Sequence, residues 1–132
     1  VPDQTISDLF QDAVLLPFVR YDSRGGPVTG IAVQLPGKCR WEWNRTEMLD
    51  PKRNTIVVDA TVRVAVDVKI DSIIGQGKLT DLTGTDASPN LEPPGGWYQV
   101  KAFKFVPDID NRFISRVLGL LRFKGKLPTG LG

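Results

Sequence analysis

The 132-residue chain predicts a mainly β fold, a small β-barrel or β-sandwich, with α+β as the alternative. Three observations carry this expectation. Chain-breaking residues are frequent, with 13 Gly and 10 Pro, and closely spaced turns favour short strands. From Ile56 to Ile70 every even position is apolar while the odd positions are mostly polar, which is the period of a strand with one buried face. Helix signals are confined to the two ends. A content of 41% hydrophobic and 24% charged residues fits one globular domain over 1–132. A chain of this size buries roughly two thirds of its unfolded surface.

Residues 1–16 form an N-terminal arm or helix in this reading, with Ser7 as N-cap, Asp8 in the first turn and Pro17 as the stop. Strand candidates follow at Ala13 to Tyr21, Val28 to Leu35 and Cys39 to Trp43, separated by Ser23 to Pro27 and by Pro36-Gly37-Lys38. A third breaker, Leu49 to Asn54, has Asp50 before Pro51, which biases Asp50 toward an extended or turn conformation.

The alternating run 56–70 comes next. At ~3.3 Å per residue it would extend about 50 Å, so it is expected to be over-long, bending across sheets, wrapping a barrel or projecting as an arm. Ile73 breaks its register, which predicts a bulge or bend near Asp71-Ser72 before the segment Ser72 to Leu79. Thr80 to Gly96 reads as a long loop. Trp97 to Val106 is a strand candidate with apolar residues on both faces, as a central strand has. A short helix is predicted over about 111–123, capped by Asp110 or Asn111, with Phe113, Ile114, Val117, Leu118 and Leu121 at helical spacing. Gly119 costs such a helix about 1 kcal/mol relative to Ala. Residues 124–132 read as an extended tail.

The composition removes several chemistries. The absence of histidine excludes His-based catalysis, and a single cysteine leaves no intramolecular disulfide and no zinc site of several His and Cys ligands. Ser7, Ser23, Ser72, Ser88 and Ser115 lie in neither a G-x-S-x-G elbow nor an S-x-x-K arrangement. Cys39, between Lys38 and Arg40, reads as a small buried apolar residue. The acidic groups at Asp108 to Asn111 and Asp81 to Asp86 lack the spacing of a calcium loop. The pairs Gly25-Gly26 and Gly95-Gly96 read as turns and not as phosphate loops. Asp59, Arg63, Asp67, Lys69 and Asp71 read as a solvated face with cross-strand ion pairs. No catalytic residue, metal or cofactor is therefore expected, and the chain reads as a non-enzyme. Two converging carboxylates in a cleft would restore an enzymatic reading.

Two features point to binding. Trp41 and Trp43 lie two apart on a predicted strand and so share a face, between Arg40 and Arg45. Such residues pack in cores, anchor protein interfaces or stack on the bases of single-stranded nucleic acid. The C-terminal segment carries Arg112, Arg116, Arg122, Lys124 and Lys126 with no acid, whereas the first twelve residues carry Asp3, Asp8 and Asp12 with no base. Opposite ends of this kind steer head-to-tail association, and a basic cluster attracts phosphates.

This make-up, a small β-module with long strands, large loops and arms at both ends, is similar to virion building blocks of tailed bacteriophages such as capsid-decorating, neck or tail-adaptor proteins. The resemblance is one of architecture and carries over no functional position. It implies a structural protein whose partners are copies of itself or other structural subunits. The alternative is an OB-like module binding single-stranded nucleic acid through Trp41 and Trp43. No stretch approaches the eighteen apolar residues of a membrane helix, so no membrane partner is expected. Val1 to Gln4 lack the features of a signal peptide, so synthesis in a cytoplasm without export is expected, with a virion as a destination.

Overall fold

The structure, a computed structural model, describes residues 11–37, 39–82, 92–93, 95–107 and 114–123. The protein is mainly β. Its strands are β1 (Ala13–Leu16), β2 (Phe18–Tyr21), β3 (Pro27–Thr29), β4 (Val33–Gln34), β5 (Arg40–Glu42), β6 (Thr46–Leu49), β7 (Thr55–Val58), β8 (Ala60–Val64), β9 (Ile73–Gln76), β10 (Trp97–Pro107) and β11 (Ile114–Arg122). Among the described residues a short helix, α1 (Leu79–Leu82), enters the predicted loop, whose residues 83–91 and 94 lie outside the described ones.

Seven strands form one antiparallel sheet in the order β4-β1-β9-β10-β11-β8-β5, and β2-β3 and β6-β7 form separate hairpins. The sheet curls until the chain ahead of β1 meets the chain ahead of β5. There Gln11 and Cys39 exchange both backbone hydrogen bonds at 2.8 Å, and the Gln11 side-chain oxygen accepts from the Trp41 amide at 2.6 Å. Ala13, Leu15, Leu35, Cys39, Trp41, Ala60, Val62, Val64, Ile74, Tyr98, Val100, Leu118 and Leu120 fill the interior. A second apolar cluster, Val14, Leu16, Ala32, Ile73, Leu82 and Trp97, packs on the opposite face of β1 and β9. Cys39 is fully buried, as its apolar reading expects.

The predicted over-long strand 56–70 is not one strand. It breaks at Asp59, whose amide bonds the Leu120 carbonyl at 2.8 Å while its carboxylate accepts from the Arg122 amide at 2.9 Å. Residues 55–58 pair with β6, residues 60–64 pair with β11 and β5, and 65–70 join no ladder. The alternation nonetheless reads burial correctly. Val58, Ala60, Val62 and Val64 are fully buried, and Val66, Val68 and Ile70 pack against the interior. The expected bend falls at Asp71, at φ 72°.

The predicted helix over 111–123 is a strand across its described part, β11, paired to β10 on one side and β8 on the other. A strand covered on both faces places apolar residues on both, so its sequence reads like a helix. Here Leu118 and Leu120 face the interior, while the β6-β7 hairpin covers the other face at Gly119, against Met48 and Val58. Of the predicted N-terminal helix, Ala13–Leu16 is instead strand β1, and 1–10 lie outside the described residues. Pro17 divides the candidate strand 13–21, and the candidate 28–35 splits into β3 and β4.

Candidate functional site

Alternation along β5 separates the two halves of the tryptophan-arginine motif. Trp41 faces the interior and is 5% exposed, so it offers no face to a base. Trp43 stacks on it with ring centroids 5.1 Å apart and an interplanar angle of 15°, and remains 46% exposed. Tyr98 tilts against both rings, and the Arg122 guanidinium lies 5.6 Å from the Tyr98 centroid. Arg40 and Glu42 line a cleft on the other side of β5.

Of the basic residues expected at the C-terminal end, the two described ones, Arg116 and Arg122, stand apart from each other. Arg116 and Arg122 take inward-facing positions at the two ends of β11, with Leu118 and Leu120 buried between them. Six residues of strand separate them by roughly 20 Å. Arg116 pairs with Asp67 at 2.8 Å, donates to the Ala65 carbonyl at 3.0 Å and lies over the Phe105 ring. Arg122 pairs with Glu92 at 3.0 Å and donates to the Gly95 carbonyl. Both cap the ends of the interior. Arg112, Lys124 and Lys126 lie outside the described residues.

A groove of about 680 Å³ among the described residues holds Tyr21, Asp50, Lys52, Asp71 and Lys101 over an apolar floor of Ile56, Ile70 and Leu121. Asp71 is buried and accepts from the Tyr21 hydroxyl, from Gln99 Nε2 at 3.0 Å and from Lys101 Nζ at 2.8 Å. Its hydrogen bond and negative charge, with some desolvation, hold the Tyr21 phenol above the usual tyrosine range. Asp50 accepts from the Lys52 and Asn54 amides and so closes the β6-β7 turn. Both carboxylates of the groove are thus committed to holding the chain in place. Among the described residues no group of three or more His, Cys, Asp or Glu side chains converges.

A more accessible feature was not singled out in the sequence. β9 pairs with β10 only at Trp97 to Gln99, and Val100 bonds the backbone of Asp71 and Ser72. β10 then runs on to Pro107 with β11 as its only ladder partner among the described residues. Phe103 and Phe105 sit on this projecting half, 43% and 57% exposed, with their rings edge to face at 5.7 Å. Beside them a cleft of about 430 Å³, lined by Glu47, Met48, Leu49, Thr55, Phe103 and Lys104, separates β10 from the β6-β7 hairpin. The sequence signal was available, since Phe103 and Phe105 alternate with Lys104, but both faces of this segment carry apolar residues.

Compared with known proteins, the chain matches no family model, no curated protein and no solved structure. The local geometry alone therefore supports a functional reading. No helix among the described residues is long and apolar enough to cross a membrane.

Proposed function

We propose that this chain is a non-enzymatic assembly protein that forms subunit contacts in a larger particle, such as a tailed-bacteriophage virion component of the capsid-decorating, neck or tail-adaptor kind. The observation that carries the reading is the projecting half of β10, which combines an edge lacking a ladder partner among the described residues with two exposed phenylalanines. An unpaired edge supplies backbone donors and acceptors for an added strand, and aromatic side chains, Phe included, are enriched at the buried cores of protein interfaces. Leu49, 58% exposed beside Phe103, extends the apolar surface across the neighbouring cleft. The groove carboxylates are each held by donors of the fold, which favours a binding role over acid-base chemistry.

Sedimentation equilibrium tests the reading. The wild-type chain is expected to associate with rising concentration. The double variant Phe103→Ser/Phe105→Ser is expected to remain monomeric while keeping the wild-type melting temperature. A wild-type chain that stays monomeric throughout, like the variant, would remove self-association through this edge.

A further inference from the structure

The registers of three neighbouring strand pairs align Lys104 of β10 with Val117 of β11, Val117 with Arg63 of β8, and Arg63 with Arg40 of β5. Residues directly opposite in a sheet share a face, so these four side chains form one row across four strands. Three of the four are cations. The row spans three inter-strand steps of ~4.8 Å, roughly 14 Å in all. The next row on the same face is Glu42, Thr61, Gly119 and Ala102, of which only Glu42 is charged.

β6 passes over this face and makes the row the floor of a cleft of about 340 Å³, to which Arg45 adds a fourth cation and Glu47 a second carboxylate. Arg40 lies 3.9 Å from Glu42. Arg45, Arg63 and Lys104 form no ion pair among the described residues. Like charges directly opposite in a sheet repel, and Arg40 faces Arg63 in this way. An anion in the cleft would offset that repulsion further, beyond what Glu42 does for Arg40. The planar guanidinium groups present forked donors matched to phosphate oxygens.

We infer that the cleft beneath β6 binds a linear run of linked phosphates laid across the strands, on Arg63 and Lys104 with Arg40 and Arg45 at its margins. A line of cations suits a line of charges better than a single ion. The exposed ring of Trp43 belongs to the other side of β5, so recognition here is of the phosphate chain and not of bases. Two sources share this chemistry, a small oligophosphate and the backbone of a single-stranded nucleic acid.

The test titrates the full chain with a fluorescent thymidine-only oligonucleotide and, separately, with inorganic tripolyphosphate, over a range of salt concentrations. Binding by the wild type at low salt is expected to weaken as salt rises. Arg63→Gln and Lys104→Gln are each expected to lower the log-log salt slope for the oligonucleotide by ~0.7 and the low-salt affinity roughly five- to tenfold. Their melting temperatures should match the wild type, because both side chains lie on the outer face. Binding of both probes, with mutual competition, identifies a nucleic-acid backbone as a source. Binding of tripolyphosphate alone, weakened in both variants, identifies a small oligophosphate. Absence of binding by either probe at low salt, or variants that bind like the wild type, overturns the inference. These readouts are independent of self-association through Phe103 and Phe105.

Discussion

At the scale of single residues, Asp71 ties Tyr21 of β2 to Gln99 and Lys101 of β10. It stands where the chain leaves the apolar run and turns into β9, in a left-handed conformation that Asp tolerates better than most residues with a side chain. Three donors converge on its carboxylate, but Lys101 stays 37% exposed, so this pair contributes less than a fully buried one. Asp71→Ala removes the acceptor and adds backbone strain, and is expected to lower stability by roughly 3 kcal/mol in urea denaturation. Asp71→Gly removes the same acceptor while relaxing the backbone, and should cost about 1 kcal/mol less. The raised phenol of Tyr21 has a signed consequence for pH. A folded-state value above the unfolded value of 10.0 means that this contribution is whole below pH 10.0 and is lost as pH rises through the folded value. Absorbance titration of the wild type against Tyr21→Phe should place Tyr21 above the ordinary range, and Asp71→Asn should return it toward that range.

At the scale of elements, Gly119 links the sheet to the hairpin that covers it. A Cβ there would lie 2.7 Å from Met48 Sδ, 3.0 Å from Val58 Cγ1 and 3.1 Å from Ala102 Cβ. Met48 is flexible and can yield, but Val58 and Ala102 are held in strands. Gly119→Ala is therefore expected to destabilise by about 1 to 3 kcal/mol, measured by thermal or urea unfolding, and to loosen the β6-β7 hairpin. As a helix residue this glycine reads as a weakness. In β11 it is the position at which two layers approach closely. The same packing explains why β6 escaped the sequence reading. Its four residues are exposed except Met48, which is half-buried, and the hairpin is held by packing of β6 on β10 and β7 on β11, with Met48 against Gly119.

At the scale of the whole molecule, one short seam joins the two ends of the curled sheet. Gln11 supplies it with both its backbone and its side chain, so Gln11→Ala leaves the Trp41 amide without its acceptor. The expected cost is about 1 kcal/mol. Faster hydrogen exchange at the Cys39 and Trp41 amides than at Val62 in the middle of the sheet would mark opening at the seam. The curl also sets the division of surfaces. It turns Trp41, Leu118 and Leu120 inward, leaves the cationic row facing out, and lets the β10-β11 hairpin outrun its neighbour β9.

The mainly β class, the buried face of residues 58–64, the turn at Asp71 and the burial of Cys39 were all legible in the sequence, because side-chain alternation and turn chemistry are local properties of the chain. Local pattern states which side of a segment is apolar but not what covers it. Long-range pairing therefore decided that residues 114–122 are a strand covered on both faces, that the apolar run divides at Asp59 between two layers, and that Trp41 is enclosed while Trp43 is half open. It also assembled Lys104, Arg63 and Arg40, distant in the chain, into a single row, since only the register between strands determines which side chains become neighbours.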